Sequence, residues 1–345
     1  MKPKPAQKKK YLLSAVLSFL TLSVLLWLVF RNHYQEILHN ILAASGIGVA
    51  CALLLGVVYQ GLEGLICFQL VRRKHKGFSF SRAMGATWVG VFGNVVTLAV
   101  GTIPMQSAYL YRHGIALGEA AGIMSMEYVL HKTSILLYGG VMLLLGGRAL
   151  FRQHPNLLPY VTFGYLVCIG IIILLILLCT WRWFYQQISR ALQRLEGRPR
   201  WADRARRLKR QAETLYLGAG DLLHTPRALW TGVGINALKL FTLYSIPYLC
   251  ARSIGIDALS LLQVQVLSAL TYVISSALPN VAGMGSVEAA FLLLFSPYLS
   301  LADVSSVLIL YRLATYFVLF FISALVVEII GLRLGAAARK QPGDK

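Results

Sequence analysis

Acidic side chains are scarce in this sequence. It has 13 Asp and Glu against 33 Lys and Arg, and charged residues of both signs fill only 13% of its 345 positions. That is too little charge to cover the surface of a soluble domain of this size. Cysteine is sparse as well. Cys51, Cys67, Cys168, Cys179 and Cys250 all lie in apolar stretches, and no two form a CxxC pair. This pattern excludes a disulfide frame and a thiolate metal centre, so no metal and no cofactor are expected. A nucleophile with a recognisable base is also missing. Glu127 and His131 alone are too little to define a reaction class.

What the chain does have is long apolar runs. Hydrophobic residues make up 57% of it, and the mean hydropathy is +0.65. A helix that crosses a bilayer needs roughly 20 apolar residues. Tyr11–Phe30, Ala83–Pro104, Leu158–Thr180 and Leu261–Val287 meet that length without a charge. Ile41–Leu70, Ala120–Gly147, Trp230–Ala251 and Asp303–Val327 carry one to three ionisable residues each. Tyr11–Phe30 is longer than a signal-peptide core, and Arg31, Asn32 and His33 follow it instead of a small-residue cleavage site. It reads as a first spanning helix and not as a cleaved leader.

The net charge of +20 reports topology. The basic residues stand beside apolar runs and not on a folded module of their own, which argues against nucleic acid as a partner. Residues 1–10 hold five lysines and no acid, and form a cytoplasmic tail. The weakly charged stretch 31–40 reads as a short outside loop, and the basic cluster from Arg72 to Arg82 as an inside one. Residues 182–228 hold ten arginines and should also be inside. Simple alternation puts them outside if Ala83–Pro104 is a full span. The conflict disappears if residues 83–114 enter and return on one side, broken at Val100-Gly101-Thr102-Ile103-Pro104. Its second arm, from Met105 to Tyr111, is too short to cross at 1.5 Å per residue.

The same device recurs at residues 261–297, broken at Pro279-Asn280-Val281-Ala282-Gly283-Met284-Gly285. The expected fold is therefore an all-α polytopic membrane protein. It has about six full spans and two oppositely oriented re-entrant helical hairpins, arranged as an inverted repeat. Leu117-Gly118-Glu119-Ala120 and Leu301-Ala302-Asp303-Val304 open the long span after each hairpin. Inverted repeats with broken helices meeting in mid-membrane are typical of transporters. One membrane domain over residues 11–333 then lies between cytoplasmic tails 1–10 and 334–345, in the cell membrane. Within the 182–228 loop, Phe184, Ile188, Leu192 and Leu195 step by four, four and three beside basic residues. That is an amphipathic helix suited to an anionic leaflet, with Pro199 as its interruption.

Ionisable residues inside spans are costly and mark functional candidates. They are Glu127, His131 and Lys132 after the first hairpin, Lys239, Glu288, Arg312, and Glu63 near the inner end of its span. Two readings stay open. They form satisfied pairs, such as Glu288 with Arg312 or Glu127 with Lys132, or they line a hydrated path for a charged headgroup. Asn94 and Asn280 stand beside the breaks as helix caps or as amide ligands. The short arms, near Gln106 and Ser286, direct helix N-termini inward, where phosphate could bind.

The run from Leu278 to Ala290, with Pro279, Asn280, Gly283, Gly285 and Glu288, resembles the PGGLGxxEA signature of the lysylphosphatidylglycerol synthase transmembrane-region family, the flippase-like domain proteins. Arg312 in Leu310-Tyr311-Arg312-Leu313 matches that family's arginine in the following span. Gly101–Gly114, with Pro104 and Leu110-Tyr111-Arg112, resembles its looser first-half motif. The sequence departs from the signature at Asn280 and Val281, where a second glycine is usual. The resemblance implies a flippase for an anionic or aminoacylated phospholipid, or for a polyprenyl-phosphate lipid. Full-length lysylphosphatidylglycerol synthases add a soluble aminoacyl-transferase domain, for which the residues after the last span leave no room. Lysyl transfer to phosphatidylglycerol would then require a separate catalytic partner. Relatives that accompany glycan-lipid pathways imply a second kind of partner enzyme. An enzyme subunit and a membrane scaffold remain the alternatives, and the oligomeric state stays open.

Overall fold

The computed structural model describes residues 33–97, 100–180, 182–197, 202–203, 205–206, 208–210, 212–213, 226–278 and 285–339. The expected first span, Tyr11–Phe30, lies outside them, as do Pro279, Asn280 and Gly283.

Among the described residues, every regular element is helical. Helix α1 is Tyr34–Leu42, α2 Gly46–Arg72, α3 Phe80–Val96 and α4 Thr102–Arg112. Helix α5 runs over Leu117–Gln153 through a π-turn at Leu143–Gly147. Helix α6 is Leu158–Thr180, α7 Arg182–Glu196, α8 Pro226–Ser253, α9 Leu261–Ala277 and α10 Ser286–Phe295. Helix α11 begins as Leu301–Arg312, passes a π-turn at Leu313–Phe317 and continues as Val318–Arg339. Five of these helices are long and apolar enough to cross a bilayer: α2, α5, α6, α8 and α11. The chain is a multi-pass all-α membrane protein. Leu144, Leu166, Phe321 and Leu325 are more than half exposed on the long helices, a disposition that suits lipid and not water.

The stretch read as an outside loop is partly helix α1. Ile37 and Ile41 pack on Ala302 and Ile309, and Asn40 Nδ2 donates to Asp303 Oδ1 at 3.2 Å. Its apolar residues recur at helical spacing, which the low charge of the segment obscured.

Helices α3 and α4 pack together as a pair, and so do α9 and α10. At 1.5 Å per residue, the 11 residues of α4 and the 10 of α10 extend only ~15–17 Å, about half the hydrocarbon thickness. The first arm ends at Val96 and the second begins at Thr102, slightly before the expected break. Pro104 is the third residue of α4. There its missing N–H costs nothing, because the first-turn donors have no intrahelical acceptor. Pro104 therefore begins the second arm and does not end the first. The arms approach closely because α3 offers glycine. A Cβ on Gly90 would lie 2.7 Å from Gln106 Nε2, and one on Gly93 would lie 2.9 Å from the Gly101 carbonyl oxygen.

The two halves repeat element by element. Helices α2, α3, α4 and α5 start at 46, 80, 102 and 117, and α8, α9, α10 and α11 at 226, 261, 286 and 301. The separations are 180, 181, 184 and 184 residues. The first three pairs have 27 and 28, 17 and 17, and 11 and 10 residues. Contacts repeat as well. Helices α2 and α8 pack on each other, α3 packs on α11, and α9 packs on α5. Each helix pair thus leans on the long helix of the other half. With α5 and α6 as the crossings between them, α2 and α8 run in opposite directions, which makes the repeat inverted.

Candidate functional site

Two groups of ionisable side chains are buried, one where the halves meet and one within the second half. The first joins α2, α5 and α8. Lys239 is fully buried on α8 and pairs with Glu63 of α2. Its ammonium also lies 3.0 Å from His131 Nδ1 on α5 and 5.8 Å from the centre of the Tyr59 ring. Tyr59 and Lys239 are equivalent positions of the two halves, 180 residues apart, so this contact lies close to the axis relating them. Glu127, one turn before His131, is buried within electrostatic reach of Glu63 and Lys239. Among the described residues, no donor meets its Oε1.

The second group joins α10 and α11. Arg312 Nε lies 2.6 Å from Glu288 Oε1, with both side chains about nine-tenths buried. Glu288 Oε2 accepts the Gly285 N–H at 2.6 Å. Gly285 has φ +96°, a left-handed conformation that glycine adopts without a Cβ clash. The N-terminus of α10 is thus already held by a carboxylate, which tempers its expected role as a free phosphate seat. A cation–π contact follows one turn on: Arg312 lies 5.9 Å from the Tyr316 ring.

The first half carries the mirror of that contact. Lys132 lies 5.7 Å from the Tyr128 ring. Positions 128 and 312 are equivalent at the 184-residue offset, and so are 132 and 316, so cation and tyrosine have exchanged places. Glu288 has Pro104 as its counterpart, and the acid–base pair therefore belongs to the second half alone.

Of the sequence candidates, Glu127, His131 and Lys239 come together, and Glu288 and Arg312 come together. Glu127 does not pair with Lys132. Lys132 Nζ donates instead to Ser276 Oγ on α9 at 3.0 Å, because residues five apart on a helix point to different faces. Asn94 stands at the first break, where its Oδ1 accepts from Thr102 Oγ1 at 3.4 Å, a contact that ties the two arms together. Gln106 lies one turn beyond the start of α4 and is packed on Gly90.

Glu63 was visible only as a lone acid in its span, and Lys239 as a lone base in its own. Their pairing required the fold. The tyrosines were missed altogether. Tyr272 Oη and Tyr311 Oη are 2.6 Å apart, the Tyr244 ring lies 5.2 Å from that of Tyr272, and Tyr138 donates to Gln265 Oε1 at 2.7 Å. A clue was available in the sequence: Tyr128-x-x-x-Lys132 and Arg312-x-x-x-Tyr316 repeat at one offset.

Residues 12–323 match the model of the family described as the lysylphosphatidylglycerol synthase TM region. The chain belongs to this family. No curated protein compared with the chain matches it. Both groups of buried charge, both helix pairs and helix α5 fall within the family region, which ends inside α11.

Proposed function

We propose that the chain is a lipid translocator that moves a phospholipid headgroup between leaflets, an anionic or aminoacylated phospholipid or a polyprenyl-phosphate lipid. The observation that carries this reading is the repeat of broken helix pairs, each packed on the long helix of the other half, with a buried Glu63–Lys239 pair where α2 and α8 join the halves and a Glu288–Arg312 pair at the start of α10. Half-length helices and buried charge at a repeat interface supply what a polar headgroup needs to cross hydrocarbon. Membership of the lysylphosphatidylglycerol synthase TM region family points to lipid as the cargo. Helix α7 supports an anionic leaflet as its setting: Arg190 and Arg194 are exposed, while Phe184, Ile188 and Leu192 are half-buried. In the proposed organisation, one membrane domain spans residues 11–333, both tails are cytoplasmic, and a separate transferase or glycan-pathway enzyme supplies the lipid.

The test is movement of fluorescent phosphatidylglycerol across vesicles holding the purified chain, read by bleaching of the outer leaflet. A bleachable fraction that rises from half towards the whole supports the reading. Vesicles in which the inner half stays protected refute it. Lipid extracts from a deletion strain separate transport from synthesis: a missing species supports synthesis, and a normal total with altered sidedness supports transport.

A further inference from the structure

The group around Lys239 is not explained by headgroup binding alone. Lys239 and Glu63 neutralise one another. With Lys239 as an ammonium donating to His131 Nδ1, the imidazole is an acceptor and is neutral. That leaves Glu127, buried with an Oε1 that meets no donor among the described residues. An ionised Glu127 would leave a net negative charge in an apolar interior, a costly state without a partner. One added proton makes the group neutral.

Among the described residues, the titratable groups around this site come from α2, α4, α5, α6 and α8. Helix α2 contributes Glu63 and Cys67, both electrostatic neighbours of Glu127, and Tyr59 beside Glu63. Helix α8 contributes Lys239, and α5 itself contributes His131 and Lys132. Helix α4 adds Tyr109 next to Cys67, and α6 adds Cys168 next to Lys132. The Glu63 side chain is 23% exposed, whereas that of Lys239 is fully buried. The site therefore has an accessible acid on its rim and a buried one inside.

The site also connects to the other buried pair. Tyr59 neighbours both Glu63 and Tyr272. Tyr272 shares a hydrogen bond with Tyr311 and neighbours Arg312 and Glu288. The hydrogen-bonded Tyr272 and Tyr311 thus lie within electrostatic reach of both Tyr59 and the Glu288–Arg312 pair.

We propose that Glu63, Lys239, His131 and Glu127 form a proton-binding site whose occupancy drives lipid movement, so that transport is proton-coupled. The proposal rests on the transport reading above. In the step, a proton from water adds to a carboxylate oxygen of Glu127, and the resulting acid is neutral. On the opposite side the acid returns the proton to water, and no electron changes hands. Because the site bridges α2, α5 and α8, its charge state biases how the two halves sit on each other.

The experiment uses the full chain in vesicles of phosphatidylethanolamine and phosphatidylglycerol, with a trapped pH dye and fluorescent phosphatidylglycerol. A gradient of one pH unit is imposed in either direction. Expected is lipid movement up to about tenfold faster in one direction than the other, since one proton per lipid at that gradient supplies one decade. Lipid-dependent proton flux should accompany it. Glu127→Gln mimics the protonated acid and cannot release its proton, so both the gradient response and the lipid-dependent proton flux should be lost. Lys239→Met serves as a second variant, read for folding alongside. Lipid movement that ignores the gradient, or a full gradient response in Glu127→Gln, overturns the proposal and leaves the transport reading standing. No lipid movement under any gradient overturns both.

Discussion

The Glu288–Arg312 pair gives the sharpest test of whether buried charge here serves structure or transport. Two opposite charges 2.6 Å apart attract by about 6 kcal/mol at an effective dielectric near 20. Desolvation costs several kcal/mol for each ion, so the intact pair contributes little net stability. Breaking it is another matter. Arg312→Gln leaves a buried carboxylate whose remaining contact is the Gly285 N–H, and should cost about 3–5 kcal/mol. Glu288→Gln strands the guanidinium and should cost a similar amount. Making both glutamine changes at once removes the charges together, and the amide oxygen that replaces the Glu288 carboxylate can still accept the Gly285 N–H, so the double variant should lose only about 1 kcal/mol. The assay is a denaturing-detergent titration of the purified protein in mixed micelles, read by tryptophan fluorescence. The double-mutant cycle should show a coupling of at least ~3 kcal/mol, more than a hundredfold in the folding equilibrium. A coupling below ~0.5 kcal/mol would refute the electrostatic reasoning. The folded double variant is then placed in vesicles. If it moves lipid at the wild-type rate, the pair is structural only and has no part in the path.

Other outcomes follow from particular contacts. Gly56 faces the Ala314 carbonyl at the π-turn of α11, whereas nothing lies near Gly61. Gly56→Ala should cost about 1–3 kcal/mol in the same titration, while Gly61→Ala should be neutral or stabilising by up to ~1 kcal/mol. Equal effects would mean that α2 and α11 do not fit as closely as described. Ser276→Ala takes away the Lys132 acceptor and should destabilise by about 1–3 kcal/mol, whereas the double change with Lys132→Met should lose clearly less. Equal losses in the single and double variants would sink the bond as a link between the halves. For a peptide covering Arg182–Glu196, Arg190→Ala with Arg194→Ala should weaken binding to anionic vesicles by about 2 kcal/mol, roughly thirtyfold, and leave neutral vesicles unaffected. Trp183 fluorescence reports the binding, and equal loss on both surfaces would point to helix disruption instead.

The sequence by itself determined that this chain crosses a membrane, because apolar runs of bilayer length leave no other stable setting. It also marked the neighbourhood of the two breaks, since glycine and proline are unfavourable inside a helix, and the opening of both long helices at Leu117 and Leu301. The placement of the second arm was less legible: Pro104 disrupts a helix interior but is harmless in a first turn, and spacing alone does not distinguish the two. What the tertiary structure decided was who pairs with whom. Lys239 and Glu63 are 176 residues apart, and no periodicity relates residues on helices that meet only after folding. Glu127 and Lys132 are close in sequence yet point to different faces, so the plausible local pair gave way to Ser276. The swap of Tyr128 and Lys132 against Arg312 and Tyr316 was written in the sequence, but it acquired meaning only once α5 and α11 were superposable elements of one repeat. Hydrophobicity is a local property and reads directly. The low-dielectric contacts that give a buried charge its role depend on distant segments, and folding alone brings those together.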